Sequence, residues 1–373
     1  MLALALAVCL VFTPILSGEA PLNRQGVSVG AKAAIVMEAE TGAVLFAQNI
    51  REQLPMASTT KIMTALLALE SPELEEPFVV DPDAIRVEGS SMGLQEGDVV
   101  TLRDLAGGML MASGNDAANA AAVRLAGTLP AFAEEMNRRA EAIGMRDTFF
   151  VTPSGLDAAG HCSTAYDMSL LAREALQNED FAQMAASKSL RLRYGNPPYD
   201  RTLSNHNRLL SLYPEAIGVK TGFTKSAGRC LVSAAQRDGI TLICVTLNCP
   251  DDWNVHELLY ERSFPLVSRV ELTWDLPKLP VTGGIVDQVP LRQTQQTQLP
   301  LAEGEAEGIT AEIFAPEFLY APVLEGDIVG KIVYYKDGSP VAQSPLAAAG
   351  ECAARTVPSL SWWERLKARL GWE

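Results

Sequence analysis

Histidine, cysteine and positive charge are scarce in this chain of 373 residues. Only three histidines occur, far apart from one another, and none of the six cysteines lies in a Cys-x-x-Cys pair, so the sequence contains no local zinc-ligand pattern. Thirty Lys and Arg residues against 45 Asp and Glu residues leave a net charge of −15. A nucleic-acid binder needs a basic face to neutralise phosphates. We therefore expect no metal centre, no cofactor and no nucleic-acid partner.

The sequence also lacks any apolar run of the roughly 20 residues that a transmembrane helix requires. The uncharged stretch LALALAVCLVFTPIL at residues 2–16 is typical of the hydrophobic core of a secretory signal. We predict that residues 1–20 are a signal peptide and that the protein is secreted across the cytoplasmic membrane. Loss of the signal would remove Cys9 and leave five cysteines, an odd number, so we predict no disulfide framework.

Hydrophobic periodicity divides the rest of the chain. Residues 31–48 have the pattern of two strands around a Glu-Thr-Gly turn, whereas residues 58–69 and 101–186 have helical spacing. Residues 216–248 return to strand-like runs, with an Asp-Gly turn at 238–239. Strands, then helices, then antiparallel strands predict an α/β (α+β) fold, in which an antiparallel sheet has helices packed on it.

The composition changes after residue 267, where short apolar stretches alternate with Pro, Gly, Gln and Thr. This alternation predicts a small, separate all-β module. We expect a catalytic domain over residues 26–266, a β-rich C-terminal domain over 267–350 and an amphipathic C-terminal helix over 359–373.

The first chemical candidate is an S-x-x-K motif formed by Ser58 and Lys61 at the start of the predicted helix. A spacing of three places both side chains on one helical face, one turn apart. A serine hydroxyl becomes a good nucleophile only when a base removes its proton, and a lysine amine is a base only when neutral. Burial and a second nearby cation would both lower the lysine pKa. The alternative is a capped helix start with a solvated lysine.

Two further triplets follow in the chain, Ser113-Gly114-Asn115 in a helical region and Lys220-Thr221-Gly222 on a strand-like run. Each alone is usually a turn or a strand end. Together with S-x-x-K, in this order and in these elements, they match the motif set of β-lactamases and penicillin-binding proteins.

The wider sequence resembles the low-molecular-mass penicillin-binding proteins that are serine-type D-alanyl-D-alanine carboxypeptidases. The matching stretches include PMASTTKIMTALLALE, MLMASGNDAANA and VKTGFTKSAGRCLVSAA, and the resemblance is close over residues 30–265. It implies the penicillin-recognising fold, with helices on both faces of an antiparallel sheet and an all-helical subdomain. It also implies peptidoglycan stem peptides ending in D-Ala-D-Ala as substrate and β-lactams as covalent inhibitors.

The resemblance also implies a role for each catalytic residue. Ser58 would attack the carbonyl between two D-alanines and form an acyl-enzyme, with Lys61 as the base, kept neutral partly by Lys220. Ser113 would pass a proton towards the leaving D-Ala nitrogen. Asn115 would bond Lys61 and the substrate amide.

The remaining motif residues would bind the substrate. Lys220 and Thr221 would hold its terminal carboxylate, and Gly222 would let its backbone lie against the strand. The backbone N–H groups of Ser58 and Phe223 would form the oxyanion hole.

Two rival functions share these motifs. A class A β-lactamase needs a glutamate after the nucleophile, and the associated E-x-x-L-N pattern occurs here only at Glu19–Asn23, before Ser58. A penicillin sensor would become acylated without turning over. The sequence keeps every hydrolytic group, which favours the carboxypeptidase. Among the histidines, His161 is expected to be structural, and no role is assigned to His206 or His256.

The end of the chain has the pattern of an amphipathic helix. Ser361 and Glu364 have the spacing of a capping box. Tryptophan and leucine share one side of this helix, which suits a membrane interface. We predict peripheral attachment to the outer face of the cytoplasmic membrane; the alternative is a helix docked on the β module. The apolar side consists of Trp362, Trp363, Leu366 and Leu370.

Overall fold

The computed structural model describes residues 20–356 and 362–370. This part of the chain divides into two compact units. The first contains the residues up to Arg269 together with Pro300–Glu303, and the second contains Val270–Leu299 and the residues from Gly304 onwards. Residues 1–19 of the predicted signal peptide lie outside the described residues, as does Ser361 of the predicted capping box.

A five-stranded antiparallel sheet forms the centre of the first unit, in the order β2-β1-β9-β8-β7. The strand β1, from early in the chain, pairs with β9, from late in the first unit, and the predicted antiparallel sheet is confirmed. Asp238 and Gly239 both have positive φ, 51° and 74°, and join β8 to β9 in the predicted tight turn. The strands are β1 (Ala33–Glu38), β2 (Val44–Gln48), β7 (Ala216–Thr224), β8 (Gly228–Arg237) and β9 (Ile240–Leu247).

Helices cover both faces of this sheet. All of β1 is buried, with Ile35 and Met37 in the core on one face and Ala34 and Val36 in the core on the other. Such two-sided burial explains why the strand is apolar at nearly every position rather than at alternate ones. The helices are α1 (Pro21–Arg24), α2 (Lys61–Leu69), α3 (Leu102–Met111), α4 (Asn115–Ala126), α5 (Leu129–Ala142), α6 (Ala165–Ala175), α7 (Glu179–Ala186), α8 (Leu209–Leu212) and α9 (Asp252–Ser263).

Helix α2 is the central helix of the larger core, and Leu67 is its one residue that is not buried. A single 3₁₀ turn, Ala57–Thr60, precedes it, so the helix predicted from Ser58 becomes α-helical only at Lys61. The turn and the first residue of α2 together carry the S-x-x-K motif.

A hairpin that sequence periodicity did not identify projects from the helical side. It consists of β5 (Ser189–Gly195) and β6 (Pro198–Ser204). Leu190 and Leu192 pack against the larger core, whereas Arg191 and Arg193, which alternate with them, are exposed. The short strands β3 (Phe78–Val79) and β4 (Val99–Val100) form a second small ribbon.

The second unit is an all-β module, as predicted. Its six-stranded sheet has the order β14-β16-β17-β12-β11-β15, with a parallel pair only between β11 and β15 among the pairs described. The final helix is α10 (Trp362–Leu370). No helix of the described ranges is both long and apolar enough to cross a bilayer. The remaining strands are β10 (Val267–Leu272), β11 (Lys278–Thr282), β12 (Gln288–Gln293), β13 (Thr297–Ala302), β14 (Ile309–Phe314), β15 (Leu319–Tyr320), β16 (Ile328–Lys336) and β17 (Ser339–Ala348).

Candidate active site

Ser58 lies in the 3₁₀ turn that opens α2 and is partly exposed, although Ala57, Thr59 and Thr60 around it are buried. Ala57 has a φ of 49°, in the left-handed region that non-glycine residues rarely adopt. The turn packs against Gly155, where an added Cβ would lie 2.0 Å from the Ala57 carbonyl oxygen. The tight packing holds one hydroxyl at the surface of an otherwise buried turn.

The Lys61 side chain is fully buried and contacts three oxygen atoms. Its Nζ lies 2.9 Å from Ser58 Oγ, 2.7 Å from Asn115 Oδ1 and 2.5 Å from the Ser154 carbonyl oxygen. The amide and carbonyl oxygens can only accept hydrogen bonds. A neutral amine would donate its two N–H groups to them and keep its lone pair for the Ser58 hydroxyl.

Burial is the main reason why the pKa of Lys61 lies well below its usual value. The positive charge of Lys220 lowers this pKa further, whereas the negative charge of Asp116 acts in the opposite direction. The site therefore favours the neutral amine, which is the form that can accept a proton from Ser58.

The second motif connects α3 to α4. Asn115 Nδ2 donates to the Glu88 carbonyl oxygen at 2.6 Å, which turns Oδ1 of the same amide towards Lys61. Gly114 has no room for a side chain, since a Cβ there would lie 2.9 Å from the Met92 backbone nitrogen. In this chain, close backbone packing thus explains glycine at the middle position of the triplet.

Lys220, on β7, brings the third motif to the second one. Its side chain is 2% exposed, and Nζ donates to Ser113 Oγ at 3.1 Å and to the Thr221 carbonyl oxygen at 2.8 Å. Burial lowers the pKa of Lys220 to about 7. An ammonium group has three N–H donors, so one remains for a ligand.

Gly222 follows on the same strand and lies against the turn of the serine. An added Cβ would lie 3.0 Å from the Met56 carbonyl oxygen and 3.0 Å from the Ser58 backbone nitrogen. This close approach gives Gly222 a packing role besides the predicted contact with substrate. The side chain of Phe223 is 66% exposed, so core packing does not explain why a phenylalanine stands at this position.

Asp116 is a buried charge that the sequence reasoning missed. Its carboxylate accepts hydrogen bonds from the Ser91 hydroxyl at 2.6 Å and from the backbone N–H groups of Met92, Gly93 and Leu94. It therefore fixes the loop whose Glu88 carbonyl orients Asn115. The partners lie 22 to 25 residues away in the chain, so residue spacing offered no signal for them.

Among the described residues, no histidine forms a hydrogen bond with Ser58, Lys61 or Lys220. Each ring nitrogen of His161 has a partner, because Nε2 lies 2.9 Å from Thr60 Oγ1 and Nδ1 accepts from the Val151 N–H. His256 is fully buried between Ser233 Oγ and Thr246 Oγ1, at 2.6 and 2.9 Å. Burial lowers the pKa of His161 to about 4 and that of His256 to about 3.

The described ranges contain neither a disulfide nor a candidate metal site. The five cysteines there are free thiols: Cys162, Cys230, Cys244, Cys249 and Cys352. No group of three or more His, Cys, Asp or Glu side chains in residues 20–356 and 362–370 is arranged to hold a metal ion.

Comparison with known proteins agrees with this geometry. Residues 19–251 match the family model described as D-alanyl-D-alanine carboxypeptidase, and residues 275–353 match the model for the C-terminal domain of penicillin-binding protein 5. The chain is 33% identical to D-alanyl-D-alanine carboxypeptidase DacF of Bacillus subtilis over 85% of each chain. It is also 33% identical to DacC of Escherichia coli, over 86% of this chain and 83% of the relative.

A solved structure shows the same fold. Penicillin-binding protein 5 from Haemophilus influenzae superposes with a TM-score of 0.65 at 26% identity, over 88% of this chain and 98% of the other. The named relatives support a carboxypeptidase over a penicillin sensor or a β-lactamase. The chain belongs to the D-alanyl-D-alanine carboxypeptidase family of serine hydrolases, and its C-terminal module is a domain of the penicillin-binding protein 5 type.

Proposed function

We propose that this carboxypeptidase removes the terminal D-alanine from peptidoglycan stem peptides through an acyl-enzyme on Ser58. The observation that carries the proposal is the 2.9 Å contact between Ser58 Oγ and the buried amine of Lys61, whose pKa burial holds well below its usual value. A base within hydrogen-bonding distance is what a serine nucleophile needs.

Acylation begins when Ser58 Oγ attacks the carbonyl carbon between the two D-alanines and Lys61 takes its proton. The backbone N–H groups of Ser58 and Phe223 stabilise the negative charge that develops on the carbonyl oxygen. The C–N bond then breaks, and Ser113 passes a proton to the leaving nitrogen. The Lys61 ammonium then returns a proton to Ser113, so the net result is transfer of the Ser58 proton to the nitrogen of the departing D-alanine.

Deacylation repeats the chemistry with water. Lys61 takes a proton from the water as it attacks the ester carbonyl, and Ser58 recovers its hydroxyl when the ester bond breaks. Asn115 holds Lys61 in place through both steps, because its Oδ1 lies 2.7 Å from Nζ.

Specificity for a free C-terminus comes from Lys220 and Thr221. A buried ammonium with one unused N–H group is suited to a carboxylate, and such charge-assisted hydrogen bonds are stronger than neutral ones. β-Lactams carry a carboxylate next to a reactive amide, so they would enter the same site and acylate Ser58.

The test replaces the nucleophile. Ser58→Ala should abolish labelling by a fluorescent penicillin and also the release of D-alanine from a peptide ending in Lys-D-Ala-D-Ala, because no other hydroxyl contacts Lys61 in the described structure. Ser226→Ala, at an exposed serine, is the matched control and should keep both activities. Labelling that persists in Ser58→Ala would contradict the assignment.

We also propose that the enzyme acts outside the cytoplasmic membrane and attaches to it through α10. The support is a set of four exposed apolar side chains on α10, of which Trp362, Leu366 and Leu370 follow one another at intervals of about one helical turn. Two of them, Trp362 and Trp363, stack with a centroid distance of 4.2 Å. The exposed fractions are 65% for Trp362, 56% for Trp363, 37% for Leu366 and 52% for Leu370.

Deletion of residues 361–373 tests the attachment. The truncated protein should move from the membrane to the soluble fraction, because it loses its interfacial tryptophans, while D-alanine release in solution is retained. Ile285→Ser is the control, since it removes an exposed apolar side chain elsewhere in the second unit. An unchanged distribution would mean that α10 does not anchor the protein.

A further inference from the structure

A pocket of about 310 Å³ opens in the first unit, outside the three motifs. It is lined by a residue just after α7 and by the segment that leads into and forms α8. Four of its lining residues are cationic or amide-bearing, and none is acidic. The lining residues are Lys188, Asn205, Asn207, Arg208, Ser211 and Leu212.

Two cations at this pocket have no counter-ion. Lys188 and Arg208 are exposed, and neither forms an ion pair with any residue in the described part of the chain. Many other arginines of the first unit do pair with carboxylates; Arg103 and Arg139, for example, each contact two. In a chain with a net charge of −15, two unpaired cations in one pocket create a local positive site.

A buried amide supplies a neutral donor at the same place. Asn207 is 2% exposed, and its Oδ1 accepts from the Leu209 N–H at 3.1 Å. Its Nδ2 is buried and has no hydrogen-bond partner. Asn205 beside it is fully used, since its Nδ2 donates to the carbonyl oxygens of Ala185 and Ser187. Buried donors are nearly always satisfied, so this one is a place where a ligand or a water molecule would supply the acceptor.

The pocket neighbours the strand that carries the third motif. Helix α7 packs on β7 closely enough that a Cβ at Gly218 would lie 3.2 Å from Ala185 Cβ. His206 lies between the two pocket asparagines in the chain. Partial burial lowers the pKa of its imidazole, and the positive charge of nearby Lys220 lowers it further. The segment 205–207 therefore connects the pocket to the Lys220 end of the active site.

We propose that this pocket binds an oxyanion, a carboxylate or a phosphate. Lys188 and Arg208 supply the charge, Asn207 Nδ2 supplies a fixed N–H donor, and the Ser211 hydroxyl supplies a further one. Stem peptides carry carboxylates other than the terminal one, so the substrate itself is one source of the anion. That source rests on the proposed function, whereas binding of free inorganic phosphate does not.

The first experiment measures phosphate binding by the full chain. Inorganic phosphate should raise the melting temperature of the wild type more than that of Lys188→Gln/Arg208→Gln. Asn207→Asp should lose the effect as well, because it keeps an acceptor for Leu209 but replaces the open donor with a negative oxygen. The double variant changes only exposed side chains, so it still tests the proposal if Asn207→Asp does not fold. The control, Arg262→Gln/Lys278→Gln, removes two exposed cations elsewhere and should respond as the wild type does.

The second experiment compares two stem peptides that differ only in whether a side-chain carboxylate is free or amidated. A KM about tenfold lower for the free carboxylate in the wild type, lost in the double variant, identifies the substrate as the source. A phosphate response without a peptide preference identifies free or polymer-borne phosphate. Equal responses of wild type and double variant to phosphate and to both peptides would overturn the proposal. Failure of the proposed function is distinguishable, because the wild type would then release D-alanine from neither peptide.

Discussion

Two buried lysines, Lys61 and Lys220, have different neighbours, and we propose different tasks for them on that ground. Lys61 faces two acceptor-only oxygens and a hydroxyl, and the nearby cation Lys220 helps to keep its amine neutral. Burial lowers the pKa of Lys220 to about 7, so both protonation states of this lysine are accessible near neutral pH. A bound carboxylate would favour the charged state of Lys220.

The pH dependence of catalysis tests this division at the scale of single residues. We expect kcat/KM to fall above about pH 7, because the free enzyme loses the Lys220 proton that holds the substrate carboxylate, whereas kcat for bound substrate should fall less. Lys220→Arg keeps its charge at all these pH values and should remove the alkaline fall in whatever activity remains. Initial rates from pH 6 to 9 provide the measurement, and the same alkaline fall in both proteins would exclude Lys220 as its origin.

At the scale of elements, the site depends on contact between the 3₁₀ turn of Ser58 and the loop that contains Ser154 and Gly155. The Ser154 carbonyl accepts from Lys61, and Gly155, with a φ of 80°, lies directly against Ala57. The loop therefore contacts the proposed base, and the turn of the proposed nucleophile, through its backbone.

Gly155→Ala should disturb this contact. Its Cβ would overlap the Ala57 carbonyl, so we expect a loss of about 3 kcal/mol in the free energy of unfolding and much slower acylation by penicillin. Gly97→Ala is the matched control, because Gly97 also has a positive φ, 86°, but no atom lies within 4 Å of the added Cβ. It should cost about 1 kcal/mol from backbone strain and leave acylation unchanged. Urea unfolding and labelling rates measure both; equal effects would exclude the contact as the cause.

At the scale of the whole molecule, two buried neutral histidines make stability depend on pH. The unfolded chain binds protons at His161 and His256 below about pH 6.5. The folded chain does so only near pH 4 and pH 3. Each histidine therefore lowers the free energy of unfolding by up to about 1.4 kcal/mol per pH unit as the pH falls through this window. Glu38 and Asp167, whose pKa values are raised by burial, act in the opposite direction.

We expect stability to decrease from pH 6.5 to pH 4, with roughly 2 kcal/mol from each histidine at pH 5. His256→Gln should flatten this slope, because it removes a buried group that takes up a proton on unfolding. His206→Gln, at an exposed histidine, should change the slope less. Chemical unfolding at several pH values measures the slope, and an unchanged slope in His256→Gln would contradict the prediction.

The local sequence was enough for the main sheet, for the helical region and for the nature of the chemistry. Periodicity identified the strands of the main sheet and the helical region, and the Asp-Gly pair at 238–239 identified a turn that only positive φ can form. Periodicity did not identify the hairpin β5–β6, because its run of alternating leucines is short and its charged residues resemble those of a solvated loop.

The three motifs identified the family, because a nucleophile, a base and a cation impose specific residue types at fixed short spacings. Only the tertiary structure decided which groups surround them. Lys61 contacts Ser154, 93 residues further along the chain, and Asp116 accepts hydrogen bonds from a loop more than 20 residues away in sequence. Such contacts depend on how helices and loops pack together, and the sequence spacing of the partners does not encode them. Burial is likewise a property of the folded molecule, and it is the main cause of the lowered pKa of Lys61.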